Sequence, residues 1–233
     1  MMTFAAAAIR GLTGFGMAII LVPLLGMIIK PSEAVTLAIF LQFLIGPVGI
    51  KTIIINADRP SAFLIGGIAF CATPFGVWAL ANTSPDVARM LIAMIAIGAF
   101  LLVIFARRSA AMPGKPAQVG VGIASGILTG FAAMPGPPVI PFYMRESFAP
   151  LQARASMMLV FYITATAGTL ATLALQIAGW KSVWLALALF IPMTFGNWLG
   201  GLAFGKLAPN VWRGAVALLL GLAAASAVWR LVA

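Results

Sequence analysis

The stretch Ile9-Arg10-Gly11-Leu12-Thr13-Gly14-Phe15-Gly16 lies inside an apolar run that extends from Met2 to Ile29. An arginine and three glycines in the middle of such a run do not belong to a plain hydrophobic helix. A second interrupted stretch sits in the other half of the chain: Gly126-Ile127-Leu128-Thr129-Gly130-Phe131-Ala132-Ala133-Met134-Pro135-Gly136-Pro137-Pro138. Pro135, Pro137 and Pro138 have no backbone N–H to donate, and an intact helix does not run through them. Unpaired backbone cannot face hydrocarbon; it is tolerated at membrane depth only inside protein or against a watery cavity.

The composition places both stretches in a bilayer. Of 233 residues, 63% are apolar and 8% charged, against roughly 25% charged in ordinary soluble domains. Histidine is absent and Cys71 is the one cysteine. This excludes His-based zinc or haem sites, His-based nucleophile triads and an internal disulfide framework. Fourteen Lys and Arg against four Asp and Glu give a net charge of +10. The basic residues are dispersed between apolar runs rather than gathered in a patch, which argues against nucleic acid as a partner.

A spanning helix needs about 20 predominantly apolar residues. Eight segments qualify: Met2–Ile29, Glu33–Ile55, Ser61–Ala81, Val87–Ala106, Gly120–Met144, Arg154–Ala178, Ser182–Gly205 and Val211–Val232. None alternates with period two, so an all-α integral membrane protein is expected rather than a barrel. The first run carries no basic leader and is broken at Arg10, which argues against a cleaved signal peptide.

The two interrupted segments align, Leu12-Thr13-Gly14-Phe15 with Leu128-Thr129-Gly130-Phe131. Downstream, Pro31 and Ala34 match Pro150 and Ala153, and Phe75-Gly76-Val77-Trp78 matches Phe195-Gly196-Asn197-Trp198. Pro85 through Arg89 matches Pro209 through Arg213. The chain reads as two four-segment repeats, 1–106 and 119–233, joined by a basic cytoplasmic linker at 107–118. Paired halves with Gly/Pro-broken segments at matching positions point to a secondary transporter's binding site.

Positive charge tests the topology. If all eight segments span, the basic loop residues divide seven against six, which sets no orientation. If the first and fifth are re-entrant hairpins, Lys51, Arg59, Arg107, Arg108, Lys115, Arg145, Arg154, Lys206 and Arg213 share one side. Lys30, Arg89, Lys181 and Arg230 take the other, and nine against four is a usable positive-inside bias. Each half then crosses three times, so the second is inverted and both termini lie outside. A multi-pass protein of the cytoplasmic (inner) membrane is expected.

At these motifs the chain resembles the TauE/SafE family of sulfite and organosulfonate exporter-like permeases. The resemblance rests on Gly11-Leu12-Thr13-Gly14-Phe15-Gly16 leading into Val22-Pro23-Leu24, and on Gly126–Gly130 followed by Pro135-Gly136-Pro137-Pro138. It extends over nearly the whole chain. It implies a carrier of small sulfur-containing or carboxylate anions. The sequence departs from the Gly-rich second motif in having Phe131-Ala132-Ala133-Met134.

Arg10 is the sharpest candidate, because a charge deep in a membrane segment costs at least ~2.5 kcal/mol and usually marks a substrate path. Its guanidinium suits a sulfonate or carboxylate through two parallel hydrogen bonds. Gly11, Thr13, Gly14, Phe15 and Gly16 complete the first element, where a restarting half-helix would turn N–H groups towards an anion. The alternative is that Arg10 snorkels to the interface. Thr129, Gly130, Pro135, Gly136, Pro137 and Pro138 form the second element, with a structural kink as the alternative. Tyr162, Thr166, Thr169, Thr172 and Gln176 share one helical face, fit for substrate contact or helix–helix hydrogen bonds. Gln42 and Asn197 are weaker candidates. Glu33 and Glu146 follow the broken segments and are the coupling candidates, with helix capping or loop pairing as the default.

The expected function is a secondary permease for small anions working by alternating access, without cofactor or metal. A passive anion channel is the nearest rival. An intramembrane enzyme is disfavoured because no Ser/His, paired-carboxylate or metal constellation exists. The small-residue content permits a homodimer without indicating one.

Overall fold

The computed structural model describes residues 2–26, 28–105, 114–144 and 147–204, and all regular structure among them is helical. The helices are α1 (Met2–Thr13), α2 (Met17–Gly26), α3 (Pro31–Ile45), α4 (Ile50–Asn56), α5 (Arg59–Ala81), α6 (Pro85–Phe105), α7 (Lys115–Ala132), α8 (Gly136–Tyr143), α9 (Pro150–Ala174) and α10 (Trp180–Ala203). The segments expected to be broken are broken. The first divides into α1 and α2 at residues 14–16, the fifth into α7 and α8 at residues 133–135. The eighth expected segment, Val211–Val232, lies outside the described residues. Helix α7 begins at Lys115, inside the stretch read as linker.

Among the described residues, α5, α9 and α10 are each long and apolar enough to cross a membrane. Helices α3 and α4 make a fourth such segment if counted together, bent by 82°. The apolar run Glu33–Ile55, expected as one segment, is thus divided between two helices. The corner forms because Pro47 cannot donate a backbone hydrogen bond and Gly49 takes a left-handed turn, φ +75°.

Helix packing is reciprocal. Helix α1 lies along α10, and α7 lies along α5. A Cβ on Gly11 would overlap the Asn197 carbonyl and come within 2.9 Å of Gly201 N; one on Gly130 would overlap the Thr73 carbonyl and Val77 N. Gly200 lies on the Ala8 carbonyl as Gly76 lies on the Ile127 carbonyl. Missing side chains let the backbones approach, which is how helices associate where lipid removes the hydrophobic drive.

These contacts pair the two expected halves in a register different from that of the sequence alignment. Sequence alignment sets Gly130 beside Gly14 and Gly196 beside Gly76. The contacts set Gly130 beside Gly11 and Gly200 beside Gly76, each a shift of about one helical turn. Glycines three or four residues apart, Gly11/Gly14, Gly126/Gly130 and Gly196/Gly200, make neighbouring registers look equally good. Pro31 and Pro150 keep their correspondence, both opening helices.

Phe75, Trp78, Phe195 and Trp198, matched in the alignment, all point outward; Trp78 is 59% and Trp198 56% exposed. The apolar interior centres on α2, α3, α8 and α9, which bury Ile19, Ile39, Ile140 and Leu159 together with α1's neighbour Phe15.

Candidate functional site

Helix α1 ends because Gly14 and Gly16 adopt φ +84° and +90°, a region open to glycine at little cost. The Thr13 hydroxyl holds the turn. It has the Ile9 carbonyl at 2.8 Å and the Phe15 carbonyl at 2.7 Å as alternative acceptors for its one hydrogen, and accepts the Phe15 N–H at 3.1 Å. Helix α2 then starts, with its first bond from Ile20 N–H to the Gly16 carbonyl at 3.3 Å. The N–H groups of Met17, Ala18 and Ile19 thus have no intrahelical acceptor.

The second break is built differently. Helix α7 closes with the Ala133 N–H on the Thr129 carbonyl at 2.7 Å and the Met134 N–H on the Leu128 carbonyl at 3.2 Å. Ala133 occupies the left-handed position (φ +57°) that glycine usually fills. Ser125 Oγ donates to the Pro135 carbonyl at 3.2 Å. Gln42 Nε2 reaches across from α3 to the Ala133 carbonyl at 3.0 Å. Helix α8 opens on Gly136 with Pro137 and Pro138 next, so its first turn has few donors to offer.

The two breaks meet. A cavity of about 20 Å³ lies between residues 15–19 and residues 133–136, closed by Arg10, Gln42 and Phe161. That is room for a single water-sized guest. The three orphan N–H groups of α2 belong to residues lining it. Helix dipoles place roughly half a positive charge at each helix start.

Arg10 is 4% exposed, and its Nη1 donates to Asn197 Oδ1 on α10 at 2.9 Å. Arg154 on α9 runs its stem over Gly14, where a Cβ would sit 2.7 Å from Arg154 Cγ. Its Nη2 donates to the Gly11 carbonyl at 2.6 Å, and its guanidinium stacks 4.4 Å over the Phe204 ring. Among the described residues the one ion pair is Arg89–Asp86 at 2.9 Å, on an exposed helix start. Neither Arg10 nor Arg154 has a carboxylate partner there.

Of the residues read from sequence, Arg10, Phe15, Gly16, Pro135 and Gly136 come together at the cavity, with Gln42. Gly11, Thr13 and Gly14 shape the first break. Gly130 is spent on the approach to α5, and the Thr129 hydroxyl bonds back to the Ser125 carbonyl at 2.7 Å. Pro137 and Pro138 start α8. The stripe on α9 is not at the cavity. Tyr162 stacks on Phe43 of α3 with ring centroids 6.2 Å apart and covers Gly46. Thr166 bonds the Tyr162 carbonyl at 2.9 Å, Thr172 bonds the Gly168 carbonyl at 2.9 Å, and Thr169 Oγ1 is buried with no partner among the described residues. Glu33 lies in the first turn of α3, where a carboxylate suits the helix dipole; Glu146 lies outside the described residues. Sequence reasoning gave Arg154 no role at the site, and Ser125 and Phe161 none at all. Arg154 opens an apolar segment and reads from sequence as a loop charge, although it lies one turn inside α9; Ser125 and Phe161 carry no signal.

The family model described as Sulfite exporter TauE/SafE matches residues 1–227. The chain belongs to the sulfite exporter TauE/SafE family. No curated protein and no solved structure matches it. TauE/SafE is a family of membrane transporters, and the apolar helices agree with that. In this TauE/SafE member both broken segments contribute to one small, partly polar cavity with a buried guanidinium at its edge.

Proposed function

We propose that this protein is a secondary carrier of small sulfur oxyanions in the cytoplasmic membrane, and that the anion binds between the breaks of α1–α2 and α7–α8. The observation that carries this reading is that one cavity is lined by Arg10 and by Met17, Ala18 and Ile19, whose N–H groups have no intrahelical acceptor. A buried guanidinium without a carboxylate is costly unless an anion supplies the countercharge. Donors at a helix start suit an anion by charge and by hydrogen bonding.

The small size of the cavity supports alternating access. Sulfite and its relatives exceed a water-sized space, so the breaks must separate for the anion to enter. Two halves, 1–106 and 119–233 with linker 107–118, rocking about the site in inverted orientation, would supply that motion. The reciprocal α1–α10 and α5–α7 contacts support this division. The second reading, a passive anion channel, predicts a conducting path rather than a constricted one.

Counterflow in proteoliposomes tests the proposal, using sulfite, thiosulfate, sulfonates and small carboxylates. No response to any of these anions overturns it. Accumulation against a gradient, abolished by an uncoupler, separates carrier from channel. Arg10→Lys keeps the charge and loses the fork; wild-type transport by that variant would argue against direct clamping. Tags on the 107–118 loop and on the C-terminus should report opposite faces if the first and fifth segments are hairpins.

A further inference from the structure

Arg154 stands apart from the rest of α9. Its side chain crosses Gly14, donates from Nη2 to the Gly11 carbonyl at 2.6 Å and stacks on Phe204, while its Nε is buried with no hydrogen-bond partner among the described residues. The carbonyl it holds belongs to Gly11, the residue that follows Arg10 in the chain. Two arginines therefore meet at the end of α1, Arg10 within its last turn and Arg154 across it, and no carboxylate among the described residues pairs with either.

The helix ends do not cancel this charge. The C-terminus of α1 offers about half a negative charge, and the N-terminus of α2, three residues on, offers about half a positive one. Phe204 is neutral. What remains at the end of α1 is close to two full positive charges, that of Arg10 buried at the cavity edge and that of Arg154 half-buried. A singly charged anion would leave one of them uncompensated.

We propose that Arg154 is a specificity-determining residue, which with Arg10 makes the site prefer doubly charged sulfur oxyanions to singly charged sulfonates. This rests on the anion-carrier reading above and narrows its substrate class by charge. Arg154 does not line the cavity, so it acts through its field and through its hold on the α1 terminus. A purely structural Arg154, capping the last carbonyls of α1, would affect stability and leave charge preference alone.

Thiosulfate and methanesulfonate separate these roles, because both are tetrahedral sulfur anions of similar size and differ by one charge. In proteoliposomes at fixed ionic strength, each is measured as a competitor of labelled thiosulfate or methanesulfonate counterflow. The wild type should favour thiosulfate by about tenfold or more, the scale of one additional charge interaction in a partly desolvated site. Arg154→Met should bring the two anions within about threefold of each other, chiefly by weakening thiosulfate, and Arg154→Lys should keep the preference. Equal competition in the wild type overturns the proposal without touching the carrier reading, and needs no variant to fold. An unchanged preference in Arg154→Met overturns it as well. Failure of both anions to bind the wild type removes the carrier reading itself.

Discussion

Arg10 and Asn197, 187 positions apart in the chain, are joined by a 2.9 Å hydrogen bond from guanidinium Nη1 to amide Oδ1. The bond ties the last turn of α1 to α10 and fixes the direction of a buried charge. A neutral amide orients the guanidinium without neutralising it, leaving its positive charge available to an anion. Asn197→Asp should place a carboxylate against Arg10 and remove that availability. The expected result is a loss of anion counterflow of about tenfold or more, with the variant still folded. Counterflow beside a thermal-unfolding scan in detergent checks it, and retained affinity would mean that the Arg10 charge does not serve the anion.

The close helix pairs depend on individual glycines. Gly200→Ala and Gly130→Ala each push a methyl into a backbone carbonyl, of Ala8 and Thr73 respectively. Each should destabilise by about 1–3 kcal/mol. Gly67→Ala, where nothing lies within 4 Å, is the control and should be near neutral. Thermal unfolding of the purified variants makes the comparison.

The two breaks respond oppositely to exchange of glycine and alanine. Ala133 holds φ +57°, a conformation costing an L-residue roughly 1–2 kcal/mol that glycine largely avoids. Ala133→Gly should leave stability equal or raise it by up to about 1 kcal/mol. Gly14→Ala combines the same backbone penalty with a clash against Arg154 Cγ and should lower both stability and transport. The midpoint of chemical unfolding distinguishes the two directions.

A hydroxyl network anchors the far end of α8. Tyr143 OH lies 2.8 Å from Ser61 Oγ, which donates to Asp58 Oδ2 at 2.5 Å, while the Asp58 N–H donates to Ser156 Oγ at 2.8 Å. Tyr143→Phe removes one member and should cost about 1 kcal/mol. Tyr143 does not line the cavity, so the affinity for anion, read from the concentration dependence of counterflow, should stay at the wild-type value.

Both backbone breaks were legible in the sequence, because glycine and proline act on their own backbone whatever surrounds them. The bend at Gly46–Gly49 was passed over, since a scan for apolar length runs straight across Pro47 and Gly49. Of the polar face expected on one helix, Tyr162, Thr166, Thr169 and Thr172 lie on α9, whereas Gln176 falls past its end with φ +53°. Periodicity puts Tyr162 and Thr166 on one side of the helix; only packing shows Tyr162 meeting Phe43 of α3 and Gly46 just past its end rather than the cavity. Arg154 entered the sequence reading as a loop charge. Its stem needs Gly14 beneath it and its guanidinium needs the Gly11 carbonyl, both more than a hundred positions away.

The sequence by itself determined that this chain lives in a bilayer, that its first and fifth segments are broken, and that Arg10 stands at one of those breaks. Composition, hydropathy and missing N–H or Cβ atoms are local properties and survive any arrangement of the helices. The tertiary structure decided the rest. It set the register between α1 and α10 and between α7 and α5, where glycine spacing alone leaves neighbouring turns equivalent. It also decided which polar groups satisfy one another and which are left over. Gln42 and Ser125 quench the carbonyls of the second break, whereas Met17, Ala18 and Ile19, with no intrahelical acceptor for their N–H groups, line the same cavity as an arginine that bonds an amide and no carboxylate among the described residues. Charge left unpaired is a property of the whole packing, and no single stretch of sequence contains it.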